Sequence, residues 1–135
     1  MKGRTDIEGT PTMNKIERIT HKGKEIFYVN YSLYRRKEQR QDIVDLLEEL
    51  KMLMRRQPEK SALILSDVTN IYLEKELSDL FTEMVEHNKP YVKRSAVIGV
   101  SGFKKSIHNI MMALTGRDIR IFSDAESAKE YLVQE

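Results

Sequence analysis

The stretch Ser61–Val68, SALILSDV, constrains this chain more than any other. It is too short for a helix, and its apolar residues do not alternate with polar ones, so it reads as a strand with both sides apolar. Such a strand must be covered on both faces, which calls for a sheet packed between helices.

Its neighbours supply those helices. Upstream, Ile43, Leu46, Leu47, Leu50, Leu53 and Met54 recur at spacings of three and four, predicting a helix from about Glu38 to Arg56 that stops before Pro58. Downstream, Leu73, Leu77, Leu80, Phe81, Met84 and Val85 predict a second helix, with Asn88 and Pro90 as its stop. Tyr91–Val100 reads as another buried strand. The stripe Phe103, Ile107, Ile110, Met111 and Leu114 predicts a third helix, with Gly116 as its C-terminal left-handed residue. Ile119–Phe122 makes a short last strand, and Ser123 with Glu126 form a capping box for a closing helix that carries Ala125, Ala128, Leu132 and Val133.

Before all of these, Lys15–Tyr31 holds two β-rich runs around Lys22-Gly23 and reads as a hairpin. Phe27, Val29 and Tyr31 point to one side of its second strand, and Ile26, Tyr28 and Asn30 to the other. The order ββαβαβαβα predicts an α/β domain with a mixed, mostly parallel sheet and right-handed crossovers.

A chain of 135 residues supports one domain with a hydrophobic core, here residues 15–135. Residues 1–14, MKGRTDIEGTPTMN, are almost devoid of apolar content and read as a tail, with Met13 a candidate natural start. With no cysteine, disulfides and thiol chemistry are excluded. No apolar run approaches the roughly 20 residues of a membrane span and the N-terminus is polar, so a cytoplasmic location without integral membrane association is expected.

The net charge of +2 demands no nucleic acid. Arg35, Arg36, Lys37 and Arg40 form one basic cluster and Lys89, Lys93 and Arg94 another. Glu38, Asp42, Asp45, Glu48 and Glu49 interleave with the first, which favours a solvated surface of mixed charge.

Four segments, LILSDVTN (63–70), KPYVKRSAVIGVSG (89–102), TGRDIRIF (115–122) and AKEYL (128–132), resemble the STAS superfamily. Its members include the anti-anti-sigma factors, and it is sometimes grouped with the CRAL-TRIO lipid-transfer domains. The resemblance runs from Lys15 to the C-terminus and implies a regulatory or ligand-binding domain. In anti-anti-sigma factors the strand matching Leu63–Val68 leads to a phosphorylatable serine at the start of the next helix. The stretch Val68–Lys75 has no serine at that place, only the hydroxyls of Thr69 and Tyr72, which counts against a literal anti-anti-sigma switch.

In sheets of this kind ligands settle beyond the C-terminal ends of the parallel strands. Three turns are therefore candidates: Asp67–Asn70, Gly99–Lys105 and Phe122–Asp124. In the second, Gly99 and Gly102 flank Val100-Ser101 at the head of the third helix, whose open N–H groups, with Lys104 and Lys105, suit an anion such as phosphate or carboxylate. The competing reading has the glycines relieving a tight turn, Ser101 capping the helix and the lysines solvated. The spacing matches no phosphate loop. Nor is it a nucleophile elbow, because Phe103 stands where that motif needs glycine, and nothing in the spacing aims His21, His87 or His108 at Ser101.

Asp67 suits a catalytic or metal-binding role by its position at a strand end. With Thr69 and Asn70 it suits a turn that satisfies its own backbone better. No metal or cofactor is expected. Met52, Met54, Met84, Met111 and Met112 read as core filler before a lipid pocket.

The expected function is non-enzymatic binding of a protein partner, or of a small anionic or lipid-like ligand, at Asp67, Thr69, Asn70, Gly99, Ser101, Gly102, Lys104 and Lys105. The alternatives are an enzyme using Asp67 and the Ser101 turn, or a lipid carrier. A homodimer is expected to cover the hairpin edge and an apolar helix face.

Overall fold

The structure, a computed structural model, describes residues 15–100 and 119–135. Strands β1 (Ile16–His21) and β2 (Lys24–Asn30) form the hairpin, followed by α1 (Arg40–Met54), β3 (Ala62–Asp67), α2 (Lys75–Asn88), β4 (Val92–Ile98), β5 (Ile119–Phe122) and α3 (Ala125–Leu132). Two short 3-10 turns, Tyr31–Leu33 and Lys37–Gln39, connect β2 to α1. At the hairpin turn Lys22 (φ 51°) and Gly23 (φ 80°) both have positive φ, as a type I′ connection requires.

The sheet runs β1-β2-β3-β4-β5. Only β1 and β2 pair antiparallel; β2, β3, β4 and β5 are mutually parallel. The chain is thus an α/β protein with a mixed, mostly parallel sheet.

β3 lies at the centre of the sheet, and its residues alternate between two cores. Ala62 and Ile64 join Phe27 and Val29 beneath α1 and α2. Leu63 and Leu65 join Ile26 and Ala96 beneath Ala128, Tyr131 and Leu132 of α3. This is why SALILSDV carries no alternation: both sides of the strand are interior, and each buried leucine contributes about 1.5–3 kcal/mol. On the larger face α1 buries Ile43, Leu46, Leu47, Leu50 and Met54. From α2 come Leu77, Phe81 and Met84. Tyr31 closes this core with its ring 5.0 Å from that of Phe81.

Several expectations are corrected. The closing helix is capped by Asp124, whose side chain accepts from the Ser127 N–H, so the Ser123–Glu126 capping box does not form. Asp124 sits one position later and alone supplies the acceptor the first turn needs. Ala125 is only half-buried, whereas Tyr131 belongs to the core. Leu73 precedes α2 and packs from the connecting segment. In β4 only Ala96 is fully buried, so this strand is less enclosed than its composition suggests. The proposed tail (1–14), the third helix (103–114) and Gly116 lie outside the described residues. No helix among the described residues is long and apolar enough to cross a membrane.

Candidate functional site at the C-terminal edge of the sheet

Parallel pairing brings the ends of β3 and β4 together. Asp67 is in register with Ile98, and the Val68 N–H donates to the Ile98 carbonyl at 3.0 Å, so Val68–Asn70 and Gly99 emerge side by side. Asp67 then organises the turn that follows it. Its Oδ1 accepts from the Thr69 N–H at 3.0 Å and from the Thr69 hydroxyl at 2.6 Å. The Ile71 N–H closes the turn on the Val68 carbonyl at 3.1 Å. Asn70 takes a left-handed conformation, φ 55°, which asparagine tolerates better than most residues, and its side chain is exposed.

Gly99 has φ 90° and lies against this turn. A Cβ there would collide with the Thr69 hydroxyl and would stand 2.6 Å from the Thr69 nitrogen. The glycine is accounted for by the close approach of two backbones. Of the two readings of Gly99, relief of crowding is the one with a visible cause.

The other carboxylate oxygen of Asp67 has a partner that sequence reasoning missed. The Tyr28 hydroxyl donates to Oδ2 at 3.3 Å. Burial pushes the Tyr28 phenol up to about 12, and the charge and hydrogen bond of Asp67 add to it. A signal was present: Tyr28 pairs with Leu65, and Asp67 lies two residues further along the same face. Asp67 thus accepts from three protein donors, so it is poorly placed to serve as a general base.

The third turn behaves alike. Phe122 is in register with Ile98, so Ser123 and Asp124 lie on the same edge. Asp124 accepts from the Ser127 N–H at 2.8 Å and the Ser127 hydroxyl at 3.1 Å, and these bonds hold its carboxyl below the usual range.

Beside the Asp67 turn an ionic clasp ties α1 to the lead of α2. Arg40 donates from Nε to Glu74 and from Nη2 to Glu76. The Tyr72 hydroxyl donates to Glu74 at 3.1 Å, and the Tyr72 N–H to the Tyr34 carbonyl at 2.7 Å. The Arg40 hydrogen bond, with that of Tyr72, holds the Glu74 carboxyl below its ordinary value. Arg40 therefore leaves the basic cluster in which the sequence placed it, while Arg35, Arg36 and Lys37 remain exposed.

Of the eight candidate residues, Asp67, Thr69, Asn70 and Gly99 are brought together; Ser101, Gly102, Lys104 and Lys105 lie outside the described residues. His21 bonds Glu130 at 2.8 Å and His87 bonds Asn88 at 2.9 Å, so neither is committed to this edge; His108 lies outside the described residues. Among the described residues no cluster of histidine and carboxylate side chains could hold a metal ion. No family model and no curated protein matches the chain.

Proposed function

We propose that this chain is a STAS-like, non-enzymatic binding module that recognises a protein partner, or a small anionic or lipid-like ligand, at the C-terminal edge of its sheet. The observation that carries the reading is the state of the Asp67 carboxylate. Held by Thr69 and Tyr28, it builds a stiff turn that presents Asn70 outward. A preformed, exposed corner of this kind lowers the ordering cost of recognition. The same commitment of Asp67 weighs against an enzyme that would use it with the Ser101 turn.

Native mass spectrometry of the full chain purified from its own host tests this. A retained partner or ligand is expected, and Asn70→Gly, which strips the amide from the corner while keeping its left-handed backbone, should release it and leave the melting temperature within about 2 °C. Retention at the wild-type level in that variant would place the contact elsewhere and overturn the proposal.

A further inference from the structure

β1 is an outer strand of the sheet: β2 lies on one side of it, and no described residue pairs with the other. Which backbone groups face that open side follows from one hydrogen bond. The Asn30 N–H donates to the Lys15 carbonyl at 2.8 Å, and along an antiparallel ladder inward-facing and outward-facing residues alternate. Glu17, Ile19 and His21 therefore turn their N–H and C=O groups towards β2, while Ile16, Arg18 and Thr20 turn theirs outward. Such a row of open groups is a template for another strand.

Edges of this kind are usually guarded by charge. Here Arg18 is drawn inward, its guanidinium 5.1 Å from the centre of the Phe27 ring and 4.0 Å from Glu25, both on β2. Beside it Ile19 is only half-buried, packed at the margin of the smaller core.

Charge then selects a partner. Two copies of β1 related by a twofold axis pair with one residue on that axis, because directly opposed side chains share a face of the sheet. Arg18 on the axis would face its own copy, as would Glu17, and Thr20 on the axis would set Arg18 against Lys22. Ile16 or His21 there would leave most of the strand unpaired. With Ile19 on the axis no like charges meet: Ile19 faces Ile19, Glu17 faces His21, and Arg18 and Thr20, the outward residues, exchange backbone hydrogen bonds. We infer that this chain pairs with a second copy of itself through β1, on a twofold axis at Ile19, so that two sheets become one and the smaller cores meet across the axis. This interface does not rest on the recognition proposed at the Asp67 turn.

Because the chain has no cysteine, single cysteines report the register. Ile19→Cys would face its own copy in a non-hydrogen-bonded pair, with Cβ atoms about 4.5–5.5 Å apart, near enough for a disulfide after a small shift. Arg18→Cys would face Thr20. Under air with a copper catalyst, Ile19→Cys should cross-link at least about tenfold faster, although Arg18 is the more exposed position. Sedimentation equilibrium of the unmodified full chain should show a monomer–dimer transition at about 10–100 µM, weak because one strand pair is a small interface. Thr20→Pro deletes an outward N–H that β2 does not use, and Ile19→Lys sets like charges on the axis; each should weaken the dimer about tenfold or more, with the fold checked by circular dichroism. Should the proline disturb the hairpin, Ile19→Lys decides. A monomer at every concentration up to about 1 mM, faster cross-linking of Arg18→Cys, or a dimer indifferent to Ile19→Lys would each overturn the inference.

Discussion

The Gly99 Cα hydrogen points straight at Thr69: a methyl in its place would stand 2.6 Å from the Thr69 nitrogen and 2.8 Å from its Cα. Gly23 also has positive φ, at 80°, but nothing lies within 4 Å of where its Cβ would be. The two positions separate backbone strain from collision. Gly23→Ala should cost about 1 kcal/mol, the price of a left-handed alanine. Gly99→Ala adds a clash with backbone that cannot swing aside and should cost about 3 kcal/mol or more. Chemical denaturation of both variants checks this; equal losses would mean the Thr69 turn yields.

Tyr31 is fully buried, and its hydroxyl has no hydrogen-bond partner among the described residues. Burial drives its phenol well above the ordinary value. An unpaired buried hydroxyl opposes folding, so Tyr31→Phe, which keeps the ring against Phe81, should stabilise by about 1 kcal/mol. The expected thermal shift is about +3 to +5 °C for a chain of this size. A lower melting temperature would reveal a partner for the hydroxyl.

Asp124 caps α3 and Ser123 does not. Asp124→Ala should therefore cost about 1 kcal/mol, and Ser123→Ala only a few tenths. The reverse order in urea denaturation would restore the serine capping box.

Tyr28 supplies a pH dependence. Its phenol is raised in the fold to about 12, above an ordinary value near 10, so the protonated form is favoured by folding. Its contribution is complete below about pH 10 and fades as the pH climbs towards 12. Tyr28→Phe cannot ionise and should lose less stability than the parent over that interval. Parallel slopes for the two proteins between about pH 9 and pH 12, read by denaturant titration at each pH, would contradict the raised Tyr28 phenol.

How much of this was legible beforehand follows from the distance over which each feature acts. The hairpin turned on Lys22-Gly23, and the doubly covered strand on the absence of alternation in SALILSDV; both are local patterns, and both were read correctly. The α3 cap was local as well, but Ser123 and Asp124 are adjacent and either could have served. Choosing between them needed the backbone. Tyr131 was passed over in α3 although it packs in the core beside Leu132, because a tyrosine counts as neither clearly inside nor outside.

Topology alone puts the Asp67 turn at the edge of the sheet, and it says nothing of the third donor to that carboxylate. Tyr28 lies on another strand, and only pairing across β2 and β3 brings its hydroxyl to Asp67. Arg40 is a related case: its carboxylate partners, Glu74 and Glu76, arrive from the lead and first turn of α2. The contact of Gly99 with Thr69 has no signature in either segment read by itself.

The strand order β1-β2-β3-β4-β5 has a kinetic consequence. Each strand docks beside the one made just before it, so every new pairing closes the shortest loop that the chain offers, and the loop entropy spent before contacts form stays low. The hairpin is the cheapest piece to assemble, and it presents the edge of β2 to which β3 adds. Order along the chain and order across the sheet coincide, and a ribosome releasing this polypeptide from its N-terminus would deliver the strands in the sequence in which the sheet can accept them.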